Sequence, residues 1–232
     1  MLLLALHTRA SRGENSQEQK GRYTLPSLTQ IGLCLEMYYI AYIKYIFKKN
    51  LVMFNNIAFV GGIHGVGKST ICHKICADLN INYLSASDVL QWKVIKPNYR
   101  DKKVNDIPFT QNKLITGLAN IIKDDQFYLL DGHYCLLDKN NKIYNIDIET
   151  FQQINPTSFN VIIGDIAEIK LRLEGRDELK YDFSLLDEMQ KNELKYAIHL
   201  SETLNRPIKF GSQNDYNEIL NSIKMNLTNN SK

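Results

Sequence analysis

The stretch IAFVGGIHGVGKSTICHKICADL, residues 57–79, decides how this chain is read. It opens with an apolar strand-like run, turns through glycines, and continues with apolar residues at Ile71, Ile75 and Leu79, the spacing of an amphipathic helix. Inside it, Gly62, Gly67, Lys68 and Ser69 satisfy the pattern G-x-x-x-x-G-K-[ST]. The chemistry needs a loop whose successive backbone N–H groups all face one anion, and glycines permit the positive φ angles and close approach this requires. The helix that follows directs the positive end of its dipole at the same anion. Gly62, Ile63, His64, Gly65, Val66, Gly67, Lys68, Ser69 and Thr70 are therefore expected to cradle the phosphates of ATP. In that arrangement Lys68 reaches the β- and γ-phosphates, Ser69 ligates Mg²⁺, and Thr70 hydrogen-bonds the α-phosphate. The bland alternative is a strand-to-helix turn with a chance lysine, which requires spacing, residue identities and both flanking elements to coincide.

The other half of such a site is an acidic residue at the end of a neighbouring buried strand, and FYLLDGH at 127–133 supplies Asp131. At the C-terminal edge of a sheet it would hold Mg²⁺ through water or orient the attacking group. Alone, Asp-Gly is an ordinary strand-end turn; only its pairing with the glycine loop gives it weight.

Outward from this centre, strands are expected at 82–85, 159–164 and 207–210, and helices at 110–123, 166–174, up to about 204, and 216–227. Ser87 is read as the N-cap of a helix to about 93, with Asp88 in its first turn. A polar, basic loop is expected at 94–108, broken by Pro97 and Pro108, and a hairpin at 134–146 turning at 138–141. The segment 175–183 reads as charged and leads into the long helix. Alternating strands and helices imply a doubly wound α/β domain with a mostly parallel sheet.

Composition agrees. With 44% hydrophobic and 23% charged residues and only 12 Gly and 5 Pro in 232, fibrous and wholly disordered classes are excluded. The net charge of +3 is uneven: residues 1–52 carry +4 and residues 53–232 carry −1, so the total predicts no nucleic-acid or membrane partner. Residues 53–232 form the expected domain, and 1–52 an extension. Within that extension 9–30 lack periodicity, and 31–47 are apolar for 17 residues but contain Glu36 and Lys44. A short membrane span, an accessory helix, and a natural start at Met53 with 1–52 as upstream sequence all remain open for it. Four irregularly placed cysteines imply no disulfide framework and fit a reducing, cytoplasmic setting, with Cys72 and Cys76 as buried helix residues.

Residues 57–228 resemble the small nucleoside-monophosphate-kinase-type P-loop proteins, particularly the short archaeal and nuclear adenylate-kinase-like group. The resemblance rests on VGKST at 66–70, SASDVL at 85–90, LLDGHYC at 129–135 and RLEGRD at 172–177. It implies a three-layer P-loop NTPase fold with a parallel five-stranded sheet, a short lid, the small hairpin insertion noted above, and Mg-dependent transfer of the ATP γ-phosphoryl group. It implies roles for Asp88 and His133 on the acceptor side, and for Arg172 and Arg176 beside the transferring group. Four residues apart on a helix, those arginines could present two guanidinium forks to one side.

The departures bear on the substrate. Gln91 and His133-Tyr134-Cys135 stand where adenylate kinases carry arginines that grip the acceptor phosphate, which puts AMP in doubt. Lys93, Lys96, Arg100, Lys102 and Lys103 could substitute for them, contact a polynucleotide backbone, or form a solvated loop. The leading expectation is a cytoplasmic kinase acting on a nucleotide or similar small acceptor. The alternatives are a polynucleotide or nucleoside kinase, and a regulatory or assembly ATPase with weak turnover that switches a protein partner.

Overall fold

A computed structural model describes residues 54–90, 103–104, 107–138 and 140–229. Five strands, β1 (Ile57–Gly61), β2 (Asn82–Ser85), β4 (Tyr128–Asp131), β7 (Ser158–Ile162) and β8 (Ile208–Gly211), form one sheet in the order β2-β4-β1-β7-β8. Every neighbouring pair is parallel. The chain winds first to one side of β1 and then to the other, so the crevice at the C-terminal ends of β1 and β4 is the topological switch point, where open α/β sheets bind ligands.

The sheet is covered on both faces because β1 is apolar on both. Ala58 and Val60 enter a core with Ile71 and Ile75 of α1 (Lys68–Leu79) and Ile219 and Ile223 of α7 (Tyr216–Asn229). Ile57 and Phe59 enter the opposite core with Leu118 of α3 (Ile107–Ile121) and Phe151 of α4 (Ile148–Ile154). A period-two split of one strand between two helical layers is what a buried parallel strand requires. Helix α5 (Ile166–Asp177) adds Ile169 and Leu173 to the first core. Helix α6 (Phe183–Leu204) serves both: Leu186 and Met189 pack in the first, Ala197 and Leu200 in the second. This is the three-layer α/β architecture with a parallel five-stranded sheet that the sequence implied.

Several boundaries differ from expectation. Helix α2 (Ala86–Val89) is one turn long, and its N-cap position is Ser85, not Ser87, whose hydroxyl lies 2.7 Å from that of Ser85. The stretch expected as a loop over 94–108 contains strand β3 (Lys103–Val104) and the start of α3. Pro108 fits there because the first turn of a helix does not use its N–H. β3 joins β5 (Cys135–Asp138) and β6 (Ile143–Asn145), so the insertion is a three-stranded sheet rather than a hairpin alone. Helix α4 was not anticipated. Helix α5 continues through Gly175 to Asp177, supported by Lys170 and Glu174 one turn apart at 2.7 Å, which leaves residues 178–182 as the link to α6. The expectations for 1–52, for Gln91 and for the basic side chains of 93–103 lie outside the described residues. No helix among the described residues is long and apolar enough to cross a membrane.

Candidate functional site

The glycine loop runs from the end of β1 into α1. Gly62 has φ +136°, and a Cβ there would sit 2.4 Å from the carbonyl oxygen of Ile162, so this position admits only glycine. Gly67, at φ +97°, is the N-cap of α1; no side chain caps that helix and no acidic residue stands in its first turn. The first-turn N–H groups therefore face the crevice with no side chain of their own helix end capping them. Lys68 is 8% exposed, and its ammonium donates to the carbonyl oxygens of Gly62 at 2.6 Å and Ile63 at 3.3 Å.

Ser69 and Asp131, on different elements, meet at the mouth of the crevice. Ser69 Oγ donates to Asp131 Oδ2 at 3.0 Å, and Tyr83 O–H donates to the same oxygen at 3.0 Å. Burial, then the adjacent Asp131 charge, pushes the Tyr83 phenol well up, so it stays a donor at neutral pH. A hydroxyl and a carboxylate oxygen are hard oxygen donors of the kind Mg²⁺ takes, so these two residues could hold it.

A residue the sequence reading missed organises the other side of the loop. Glu193 of α6 is fully buried. Its Oε2 accepts from the Gly62 N–H at 3.0 Å, both oxygens accept from the Tyr134 N–H at 3.1 Å, and Oε1 accepts from the Cys135 N–H at 3.2 Å. Nδ1 of His133 lies 3.4 Å from Oε1. One carboxylate thus ties the first glycine of the loop to the segment after β4. Burial raises its carboxyl above the ordinary range, opposed by the Lys68 charge and by the Tyr134 and Cys135 amides. The signal was available: Leu186, Met189, Glu193, Ala197 and Leu200 share one helical stripe, and a lone carboxylate on an apolar stripe needs buried donors.

The remaining expected residues separate. Arg172 overlooks the loop, with Nη1 3.9 Å from where a Cβ on Gly67 would sit, and is steadied by Glu168 at 3.8 Å. Arg176 instead forms a two-pronged pair with Asp177 at 2.8 and 2.7 Å, and Tyr181 donates to the same carboxylate at 2.6 Å. The two guanidinium groups are not presented together. His133 stacks edge-on against His64, ring centres 4.2 Å apart. Thr70 is exposed in the first turn of α1, and Asp88 is exposed on α2. Cys72 and Cys76 are buried core residues, and burial raises both thiols, Cys76 to about 11.

Lys68, Ser69, Asp131 and His133 open into a cavity of about 260 Å³. Its far walls are apolar, including Phe59, Leu90, Leu114, Phe151 and Ile154, with Gln111 and Thr150 among them. Where β2 passes into α2 it is Ser85, Ala86 and Ser87, rather than Asp88, that line it. The crevice therefore joins the glycine loop and the start of α1 to a partly enclosed pocket.

Among solved structures, the chain is similar to a gluconokinase from Sinorhizobium meliloti, with 13% identity over 76% of this chain and 94% of that one at a TM-score of 0.48. It is also similar to an uncharacterized protein from Eubacterium ventriosum, with 16% identity, 74% and 99% coverage, and a TM-score of 0.42. No curated protein matches the chain significantly. Residues 61–190, more than half of the sequence, match the family described as AAA domain, and the chain belongs to that family.

Proposed function

We propose that the protein is a Mg-dependent kinase that moves the γ-phosphoryl group of ATP to a small acceptor. The observation that carries this reading is continuity: Lys68, Ser69 and Asp131 line the same cavity as an apolar pocket able to enclose an acceptor. A hydrolase or a nucleotide switch needs the loop and not the pocket.

In this reading the N–H groups at the start of α1 and the ammonium of Lys68 bind the β- and γ-phosphates, and Lys68 exchanges its two carbonyl partners for phosphate oxygens. Ser69 and Asp131 would hold Mg²⁺, whose chemistry is to neutralise phosphate charge and fix phosphate geometry. Arg172 faces the charge that spreads over the transferring group. Glu193 keeps Gly62 and the turn at His133 in register, so donor and acceptor subsites stay aligned. His133 stands at the junction between them, and the acceptor hydroxyl or phosphate approaches past it and Asp131. Catalysis of this kind is mainly positioning and electrostatics, so it requires no strong base.

The test is ADP release from ATP and Mg²⁺ across a panel of nucleosides, nucleoside monophosphates and sugar acids. At least one acceptor should stimulate release, and Lys68→Ala should lower it about 100-fold or more. Release that no acceptor stimulates would point to the switch reading instead.

A further inference from the structure

Tyr83 of β2 carries a hydroxyl that the phosphoryl-transfer reading does not use, although it is bonded to the carboxylate at the centre of the site. In the sheet Tyr83 pairs with Leu129, two residues before Asp131, and residues at that spacing on neighbouring strands share a face. The hydroxyl must therefore reach diagonally to Asp131, a span that an aromatic side chain bridges and a serine or threonine does not. The ring is steadied on the way. It packs against the first core, and its centre lies 4.0 Å from that of the His73 ring on α1.

Tyr83 and Ser69 both donate to one oxygen of Asp131, Oδ2, each at 3.0 Å. Oδ1 accepts no hydrogen bond among the described residues, yet it is not sealed from solvent. Asp131 lines the cavity and Tyr83 does not, so the phenol acts from behind the carboxylate. Two donors from different elements fix the rotation of a carboxylate more narrowly than one, and here they settle which oxygen is left for a ligand. The sheet edge does not need this contact, because the backbone ladder from Asn82 to Ser85 already holds β2 to β4.

We propose that Tyr83 is a positioning residue: its O–H pins Oδ2 of Asp131 beside Ser69 and so presents Oδ1 to the magnesium ion of a bound nucleotide. The proposal rests on the assignment of Ser69 and Asp131 to Mg²⁺ in the kinase reading and names a third residue on which that pair depends. In the sequence Tyr83 shows only as a strand residue, because its partner lies 48 positions away.

The experiment is calorimetric titration of the full chain with a non-hydrolysable ATP analogue, in Mg²⁺ and in EDTA, with melting temperature measured beside it. Wild type should bind the analogue more tightly in Mg²⁺. Tyr83→Phe, which keeps the ring and removes only the hydroxyl, should weaken binding in Mg²⁺ about 10-fold, toward the EDTA value, and leave binding in EDTA unchanged. A merely structural hydroxyl would lower the melting temperature and leave the ratio of the two affinities as in wild type. In an Asp131→Asn background Tyr83→Phe should change that ratio no further, because it acts through the carboxylate. Tyr83→4-aminophenylalanine, which returns an N–H donor to the same place, should restore the ratio. A ratio unchanged by Tyr83→Phe, a further loss in the Asp131→Asn background, or no rescue would overturn the role of Tyr83 alone. A wild type whose nucleotide binding Mg²⁺ does not strengthen would overturn the magnesium assignment, and this proposal with it.

Discussion

Glu193 shows how much one buried side chain can carry. It accepts from three backbone N–H groups on two segments, so Glu193→Ala would strand those donors and destabilise the fold by at least about 3 kcal/mol in urea unfolding. Glu193→Gln keeps the shape but turns an amide N–H₂ toward donors, and should cost about 1–3 kcal/mol. Its charge adds a pH dependence of definite sign. The folded state holds the Glu193 proton to higher pH than the unfolded chain, whose value is near 4.5, so its contribution is greatest below 4.5 and declines as pH rises toward the raised folded value. The stability gap between wild type and Glu193→Gln, which cannot titrate, should therefore narrow as pH rises above 4.5. The arginines divide in the same way. Arg172, half exposed, is expected to lose turnover about 10-fold or more on truncation while stability changes by at most about 1 kcal/mol. Arg176→Ala should do the reverse, because it strips the buried Asp177 of a two-pronged partner. Measuring kcat beside melting temperature for both variants separates the two roles.

At the scale of elements, the loop between β1 and α1 is the most constrained part of the chain. Gly62→Ala places a methyl against the Ile162 carbonyl at positive φ and should cost more than about 2 kcal/mol, with loss of nucleotide binding, read by urea unfolding and calorimetry. This loop, β1, α1 and the strand ending at Asp131 were legible in the sequence because local pattern alone dictates them: an apolar run, glycines, a helical period, and an acidic strand end. The hydrogen bond between Ser69 and Asp131 followed, since the parallel pairing of β1 with β4 sets their strand ends side by side. What local pattern could not supply was long-range. β3 is two residues long and exists only because β5 offers it an edge, and α4 is a seven-residue helix held by Phe151 and Ile154 in the core. The start of α5 was readable and its end was not, because a helical glycine at 175 resembles a stop signal until its surroundings show open space.

For the whole molecule, the division of labour follows the sheet. Both helical layers bury its faces, α6 crosses from one core to the other, and Glu193 lies where it crosses, beside the C-terminal edge that holds Lys68, Asp131 and the cavity. The buried pair of Gln111 and Thr150 at the cavity wall escaped the sequence reading because the two come from different helices and meet only in the folded chain. Nucleotide binding at that edge should stabilise the whole domain: at 100 times Kd the gain is about 2.7 kcal/mol, a rise of roughly 5–10 °C in melting temperature. Ser69→Ala, which removes one of the two oxygens proposed to hold Mg²⁺, should cut the part of that rise that depends on Mg²⁺. The most direct test of the central claim follows the label from γ-³²P-ATP with Mg²⁺ and a nucleoside panel, for wild type against Lys68→Ala. The account predicts label in a phosphorylated acceptor, with Lys68→Ala near background; label appearing only as inorganic phosphate, at a rate no acceptor changes, would contradict it.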